Sequence, residues 1–294
     1  MYPFHKLFKF KMMHAALSVL LFPFFISAAS ATGLNSSREI NKTVPLQSKG
    51  RLTIKAYKGT IKINTWDRPE VKINAIIEAA EGTGSNYARR SVEATEVVIS
   101  GSERAVTIRS DYDAVPSRRS WLFSSSRILP YVHYTITAPE NMRLEIDDYK
   151  SKIDLQNIEG HITLETYKGT LDAKNLRASV TLETYKGEVY MTDLDGSINV
   201  NTYKGNVKIY NARLDENSRF ETYKGLIALS LPGTMPFHFR ADLGRRADFH
   251  SDFLMPEKRR KPRKGEAYIS TDINGGGPEI YFKSSKGTMK LKND

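Results

Sequence analysis

No cysteine occurs among the 294 residues of this chain. That absence excludes disulfide staples, thiolate chemistry, any cysteine-ligated metal, and a cysteine that would carry a lipid behind a leader. Tryptophan is scarce, with two copies, and six histidines are spread through the chain. His133, His161, His238 and His250 have no carboxylate pattern beside them, so no metal site is expected. No serine sits in a nucleophile-elbow pattern and no glycine loop has phosphate-cradling spacing, so neither catalytic residues nor a cofactor is expected.

Long apolar runs are equally scarce. One extends from Met12 to Ala28, is interrupted by Pro23, follows Lys6, Lys9 and Lys11, and precedes Ala29-Ser30-Ala31. It is short for a membrane span and has the layout of a signal peptide over residues 1–31 with a small-residue cleavage site. Cleavage of 31 from 294 residues leaves 263, and loss of the three lysines lowers the formal charge from +11 to +8. The mature chain stays basic. An exported chain with no staples must rest on one continuous core, and it is not expected to meet nucleic acid.

What the chain has in abundance is repetition. Tyr-Lys-Gly recurs at Tyr167-Lys168-Gly169, Tyr185-Lys186-Gly187, Tyr203-Lys204-Gly205 and Tyr223-Lys224-Gly225, with a variant at Tyr149-Lys150-Ser151. Successive tyrosines lie 18, 18, 18 and 20 residues apart. A fixed period of this length marks a solenoid whose coils bury a continuous core only when stacked.

Within each copy the pairs Leu144/Ile146, Ile162/Leu164, Val180/Leu182 and Ile198/Val200 alternate with polar residues, the period of a half-buried strand. After the corner, Ile153/Leu155, Leu171/Ala173, Val189/Met191 and Val207/Ile209 repeat the alternation, and Ile158, Leu176 and Leu194 close each coil. Each coil therefore gives one strand to each of two facing sheets, and the corner glycine is expected to turn the chain through a left-handed backbone. A left-handed β-helix of hexapeptides fails, because stepping by six from Ile162 lands on Lys168 and Lys174.

The spacing of neighbouring strands, ~4.8 Å, turns these corners into ladders. Tyr149, Tyr167, Tyr185, Tyr203 and Tyr223 should stack, with Lys150, Lys168, Lys186, Lys204 and Lys224 beside them. Asp147, Glu165, Glu183, Asn201 and Glu221 form a mostly acidic file expected to offset the lysines. A basic and aromatic stripe also suits an anionic polymer. Candidate ligand-binding residues are therefore Tyr167, Lys168, Tyr185, Lys186, Tyr203, Lys204, Tyr223 and Lys224. Arg259, Arg260 and Lys261 join them, from the ten-residue basic segment PEKRRKPRKG at 256–265. Stacked carboxylates such as Glu165 and Glu183 leave a polysaccharide hydrolase or lyase as the alternative.

The regular coils cover 142–232. Residues 32–45 are expected as a linker and 46–294 as one domain, with a first coil in GRLTIKAYKGTIKINTWDRPEVKIN from Gly50 to Asn74. A short helix is expected near Asn86 to Ala94, and a long loop from Tyr112 to Pro130 carries Trp121, Leu122 and Phe123. Phe237 to Phe253 reads as a degenerate coil, and GGGPEIYFKSSKGTMKLKN as a last one. The opening segment, the near-identical coils and this closing segment resemble the bacterial putative-adhesin family of unknown function whose fold is the toastrack domain. The resemblance covers roughly Leu46 to Asn293. It implies an all-β solenoid, an envelope or surface location and no catalytic motif, and this chain differs from the family in placing Tyr-Lys-Gly where small residues are usual. The expected partner is a cell-envelope component, either protein or anionic polysaccharide, met in the periplasm or at the cell surface of a Gram-negative envelope.

Overall fold

A computed structural model describes residues 36–119, 125–255, 259–260 and 266–294. The expected signal segment 1–31 and the residues Trp121, Leu122 and Phe123 lie outside the described residues. From residue 36 on, the chain belongs to one compact unit. Among the described residues no helix is long and apolar enough to cross a membrane.

One coil starts with the strand Asn141–Asp148, turns at Tyr149 to Ser151, continues as Lys152–Gln156 and bends at Asn157 into Glu159–Thr166. Parallel pairing then shifts by one period per coil: Leu144 lies opposite Ile162, Ile162 opposite Val180, and Val180 opposite Ile198. The alternating apolar pairs of both strands in these coils are at most 2 % exposed, so both sheets turn their apolar faces inward. Complete burial of such side chains stabilises by about 1.5–3 kcal/mol each. The two layers are one hydrogen-bonded network, because the strands Thr170–Thr184 and Glu188–Thr202 run through the bend without a break.

The bend and the corner use different chemistry. Asn157, Asn175, Asp193 and Asn211 occupy the same place in successive coils with φ of 56°, 53°, 59° and 50°. Asn and Asp tolerate this left-handed region because a short polar side chain can bond locally. The corner glycines Gly169, Gly187, Gly205 and Gly225 have no such φ, which corrects the expectation from sequence; of the Tyr-Lys-Gly corners only that of Gly59 does, at 137°. Close approach is what demands glycine there. A Cβ on Gly187 would lie 2.5 Å from Thr184 Oγ1 and 2.7 Å from the carbonyl oxygen of Gly169.

Stack order departs from chain order at both ends. The first coil, Arg51–Ala56 and Gly59–Trp66, lies between the Asn141 coil and the strands Ala105–Asp111 and Tyr131–Pro139. The last coil, Glu279–Ser284 and Thr288–Asn293, is inserted between Ser218–Leu231 and the degenerate coil of Phe237–Leu243 and Asp248–Ser251. Antiparallel strands close the ends: Glu96–Ser102 on Ala105–Asp111, and Ala267–Ile273 on Phe237–Leu243. Residues 37–45, expected as part of a linker, form a strand antiparallel to Glu70–Glu78, with Ile40 and Val44 packed against the core. Capping of this kind covers edges that would otherwise pair with other chains. The helix expected near Asn86 spans Ser85–Ala94 and buries Ala88 and Val92.

Candidate binding edge

The corner is built by the residue that precedes each tyrosine. Thr166, Thr184, Thr202 and Thr222 are buried, and the Oγ1 of each accepts from the glycine N–H three residues on, at 2.9, 2.8, 2.8 and 2.8 Å. Ser284 does the same for Gly287 at 2.9 Å. Such a side-chain cap satisfies the amide that a tight corner leaves over. Hydrogen bonds also run along the stack through the corner itself. The lysine N–H groups of 150, 168, 186, 204, 224 and 286 donate to the carbonyls of Tyr57, Tyr149, Tyr167, Tyr185, Tyr203 and Tyr223 at 2.8–3.1 Å. The edge is a rail, held at every step.

On that rail six tyrosines stack. Centroid separations from Tyr57 through Tyr149, Tyr167, Tyr185 and Tyr203 to Tyr223 are 4.7, 5.2, 4.8, 4.8 and 4.8 Å, with planes within 7°. Stacked aromatic pairs add about 0.5–1.5 kcal/mol each beyond their buried area. Both ends of the column are closed: Tyr112 meets Tyr57 edge-on at 6.1 Å, and Lys286 Nζ lies 5.0 Å from the Tyr223 ring centroid and donates to its hydroxyl at 2.9 Å. That bond pulls the Tyr223 hydroxyl below the ordinary tyrosine range, while burial, with Tyr149 next, raises Tyr57.

The structure therefore brings together Tyr167, Lys168, Tyr185, Lys186, Tyr203, Lys204, Tyr223 and Lys224. The lysines are exposed, and Lys168, Lys186 and Lys204 hold Nζ 5.3–5.5 Å from the centroid of the adjoining tyrosine. Among the described residues Lys150, Lys168, Lys186, Lys204 and Lys224 have no ion pair with a carboxylate. The acidic file does not offset them, contrary to expectation. It runs in register along the outer face of one sheet, where Glu221 pairs with Arg219 and with Lys283 at 3.3 Å. Burial, and then Glu183 and Asp147, push the Glu165 carboxyl up. The lysine row is thus uncompensated, at about 1 kcal/mol of repulsion per neighbouring pair in water before salt screening.

Of the basic segment, Arg259 and Arg260 form a two-residue strand beside Tyr268 and Ala267, on the outer side of the end-capping strand Ala267–Ile273, and Lys261 lies outside the described residues. Four residues of the edge lie outside the ladder read from the repeat. Tyr57 belongs to a corner distant in sequence, Lys286 follows Ser285 in place of tyrosine, and Arg245 and Arg246 are exposed at the next corner, whose Gly244 N–H donates to the Ser284 carbonyl at 2.8 Å. The threonine file was visible as Thr-Tyr-Lys-Gly in four copies. Lys58 marks the other limit of the row: it is 9 % exposed with Nζ 4.1 Å from the Tyr131 centroid, and burial, then Lys150, lowers its pKa.

The Toastrack DUF4097 family model matches residues 20–292. The chain belongs to that family. Among solved structures it is similar to a putative cell adhesion protein from Clostridium sporogenes ATCC 15579, at 14% identity and TM-score 0.37, over 88% of this chain and 100% of that one. It is also similar to a putative adhesin from Bacteroides fragilis NCTC 9343, at 12% identity and TM-score 0.39, over 87% and 97%. A search of curated proteins finds no match.

Elsewhere on this toastrack chain one cluster has the connectivity of a proton relay. His238 Nδ1 is 2.6 Å from Asp272 Oδ1, and its Nε2 is 3.2 Å from Ser270 Oγ. Cross-strand register creates it, since His238 lies opposite Asp272 and Ser270 two residues earlier on the same face. The sequence shows the histidine without its partners, which come from a strand over thirty residues away. Among the described residues no group of three His, Asp or Glu side chains is arranged to hold a metal ion.

Proposed function

We propose that this toastrack chain is an exported, non-enzymatic envelope protein, an adhesin-like interaction module that holds an anionic polymer along its tyrosine and lysine edge. The observation that carries the reading is the row of corner lysines, fixed on a hydrogen-bonded rail yet, among the described residues, without carboxylate partners. Alignment of like charges works against a purely structural corner, whereas a polyanion neutralises them together and is drawn to the row from solution. The leader-like pattern of 1–31 supports export, and an exported module would work in the periplasm or on the outer surface. The test is replacement of Lys168, Lys186, Lys204 and Lys224 by Gln, with binding to anionic envelope polysaccharide and lipid followed against salt. Weaker binding and a flatter salt dependence are expected. A variant lacking Arg259, Arg260 and Lys261 is the comparison; if it alone loses binding, the basic segment is the contact and the edge is not.

The relay of Asp272, His238 and Ser270 favours a second reading, hydrolysis of an ester-bearing envelope polymer with Ser270 as nucleophile. Labelling by a fluorophosphonate, lost in Ser270→Ala, supports it. Absence of both labelling and ester hydrolysis removes it.

A further inference from the structure

Resting on the polyanion reading, we infer that the ligand is an acidic polysaccharide with one carboxylate per sugar, a polyuronate lying lengthwise along the stack. The first ground is what the tyrosines cannot do. Sugar rings are usually gripped against an open aromatic face, but every face in this column is already covered, by the next ring within it and by Tyr112 and Lys286 at its ends. The rings are half-buried, so what they expose is edge. A neutral glycan stacked on aromatic platforms is therefore disfavoured, and recognition falls to the ammonium groups.

The second ground is spacing. The corner advances by one strand per coil, and the tyrosine centroids measure that step at 4.7–5.2 Å. One cation per step asks for one anion per step. An extended chain of 1,4-linked pyranoses advances by nearly that distance per sugar, so one carboxylate per ring matches the row in charge per unit length, and the flexible lysine stems reach carboxylates that successive rings turn to either side. A strand of duplex nucleic acid carries a charge about every 3.4 Å along the helix axis and falls out of register within a few steps.

The third ground is length. The row runs through Lys150, Lys168, Lys186, Lys204, Lys224 and Lys286, continues at the corner of Arg245 and Arg246, and stops at the other end where Lys58 is buried against Tyr131. Six lysines span five steps, ~24 Å at strand spacing. Affinity should therefore climb with each added sugar to six and level off soon after.

The experiment uses the mature chain with oligouronates of graded length, the same oligomers neutralised by methyl esterification, and linear polyphosphate. Expected are a stepwise rise in affinity to six sugars and at least about a tenfold loss (1.4 kcal/mol) on esterification. A similar loss is expected when Lys168, Lys186, Lys204 and Lys224 become Gln, with unchanged circular dichroism. Equal binding of the methyl esters, or affinity without a length plateau, overturns the inference. Should polyphosphate bind as tightly as the uronates, the anionic-polymer reading stands and the carboxylate assignment falls. If no polyanion binds, that reading itself is wrong.

Discussion

The amide of Gly187 donates to Thr184 Oγ1 at 2.8 Å across the corner, and the same contact leaves no room for a Cβ on the glycine. Gly187→Val should therefore destabilise by about 1–3 kcal/mol, and Gly187→Ala by nearly as much, since the first carbon already collides. Were a left-handed backbone the cause, Ala and the β-branched Val would differ clearly. Chemical denaturation midpoints of the two variants distinguish these accounts, and an unchanged midpoint for Ala refutes the close-approach explanation.

Strand phase is tested on the strand Thr170–Thr184, which leads directly into this corner. Leu182 is fully buried, while Glu183 faces outward beside Glu165. Leu182→Ala should cost about 2–5 kcal/mol through the cavity it leaves, and Glu183→Ala less than about 0.5 kcal/mol. A reversed order in urea unfolding would place the strand one residue out of phase.

Much of this was legible in the sequence because repetition makes each coil a copy of the last. The apolar pairs, the two facing layers and the stacking of Tyr149 to Tyr223 all follow from one period and one strand spacing. Stack order at the ends was hidden, since the coil around Ser285-Lys286-Gly287 is locally like any other and nothing local says that it slips between Ser218–Leu231 and Phe237–Leu243. The acidic file was misread for a related reason: Glu165 is two residues from Tyr167 in sequence, but alternation along the strand aims it at the sheet face and away from the corner. The relay at His238 depends on Ser270 and Asp272, which only antiparallel pairing brings close.

Four successive bends place Asn157, Asn175, Asp193 and Asn211 at φ between 50° and 59°. Asn175→Gly should be close to neutral, because glycine enters that region freely, whereas Asn175→Val should cost about 1–2 kcal/mol. Part of any loss belongs to the amide that donates from Asn175 to Asn157 Oδ1 at 3.0 Å. Thermal unfolding of the pair provides the measurement, and equal melting temperatures for Gly and Val would show that the bend imposes no left-handed requirement.

At one corner the Thr and Gly of the repeat are Asp148 and Ser151. Asp148 is 3 % exposed; its Oδ2 accepts from the Ser151 N–H at 2.8 Å and from the Thr166 hydroxyl at 3.0 Å, while its Oδ1 and Ser151 Oγ have no partner among the described residues. Burial pushes the carboxyl above its ordinary range, against the pull of the Ser151 and Thr166 hydrogen bonds. The folded chain thus holds this proton more tightly than the unfolded one, so stability falls as pH rises from the ordinary carboxylate range through the raised native pKa, and is recovered on acidification. Asp148→Thr with Ser151→Gly restores the repeat and removes both unpartnered atoms. The double variant should gain about 0.5–2 kcal/mol near neutrality, as repair toward a repeat consensus commonly does. The gain should shrink as pH falls from neutrality through the raised native pKa. Urea midpoints across that interval check it: a gain that is constant with pH would mean the charge on Asp148 is not the source, and a loss at every pH would mean that the Asp and Ser corner is stabilising as it stands.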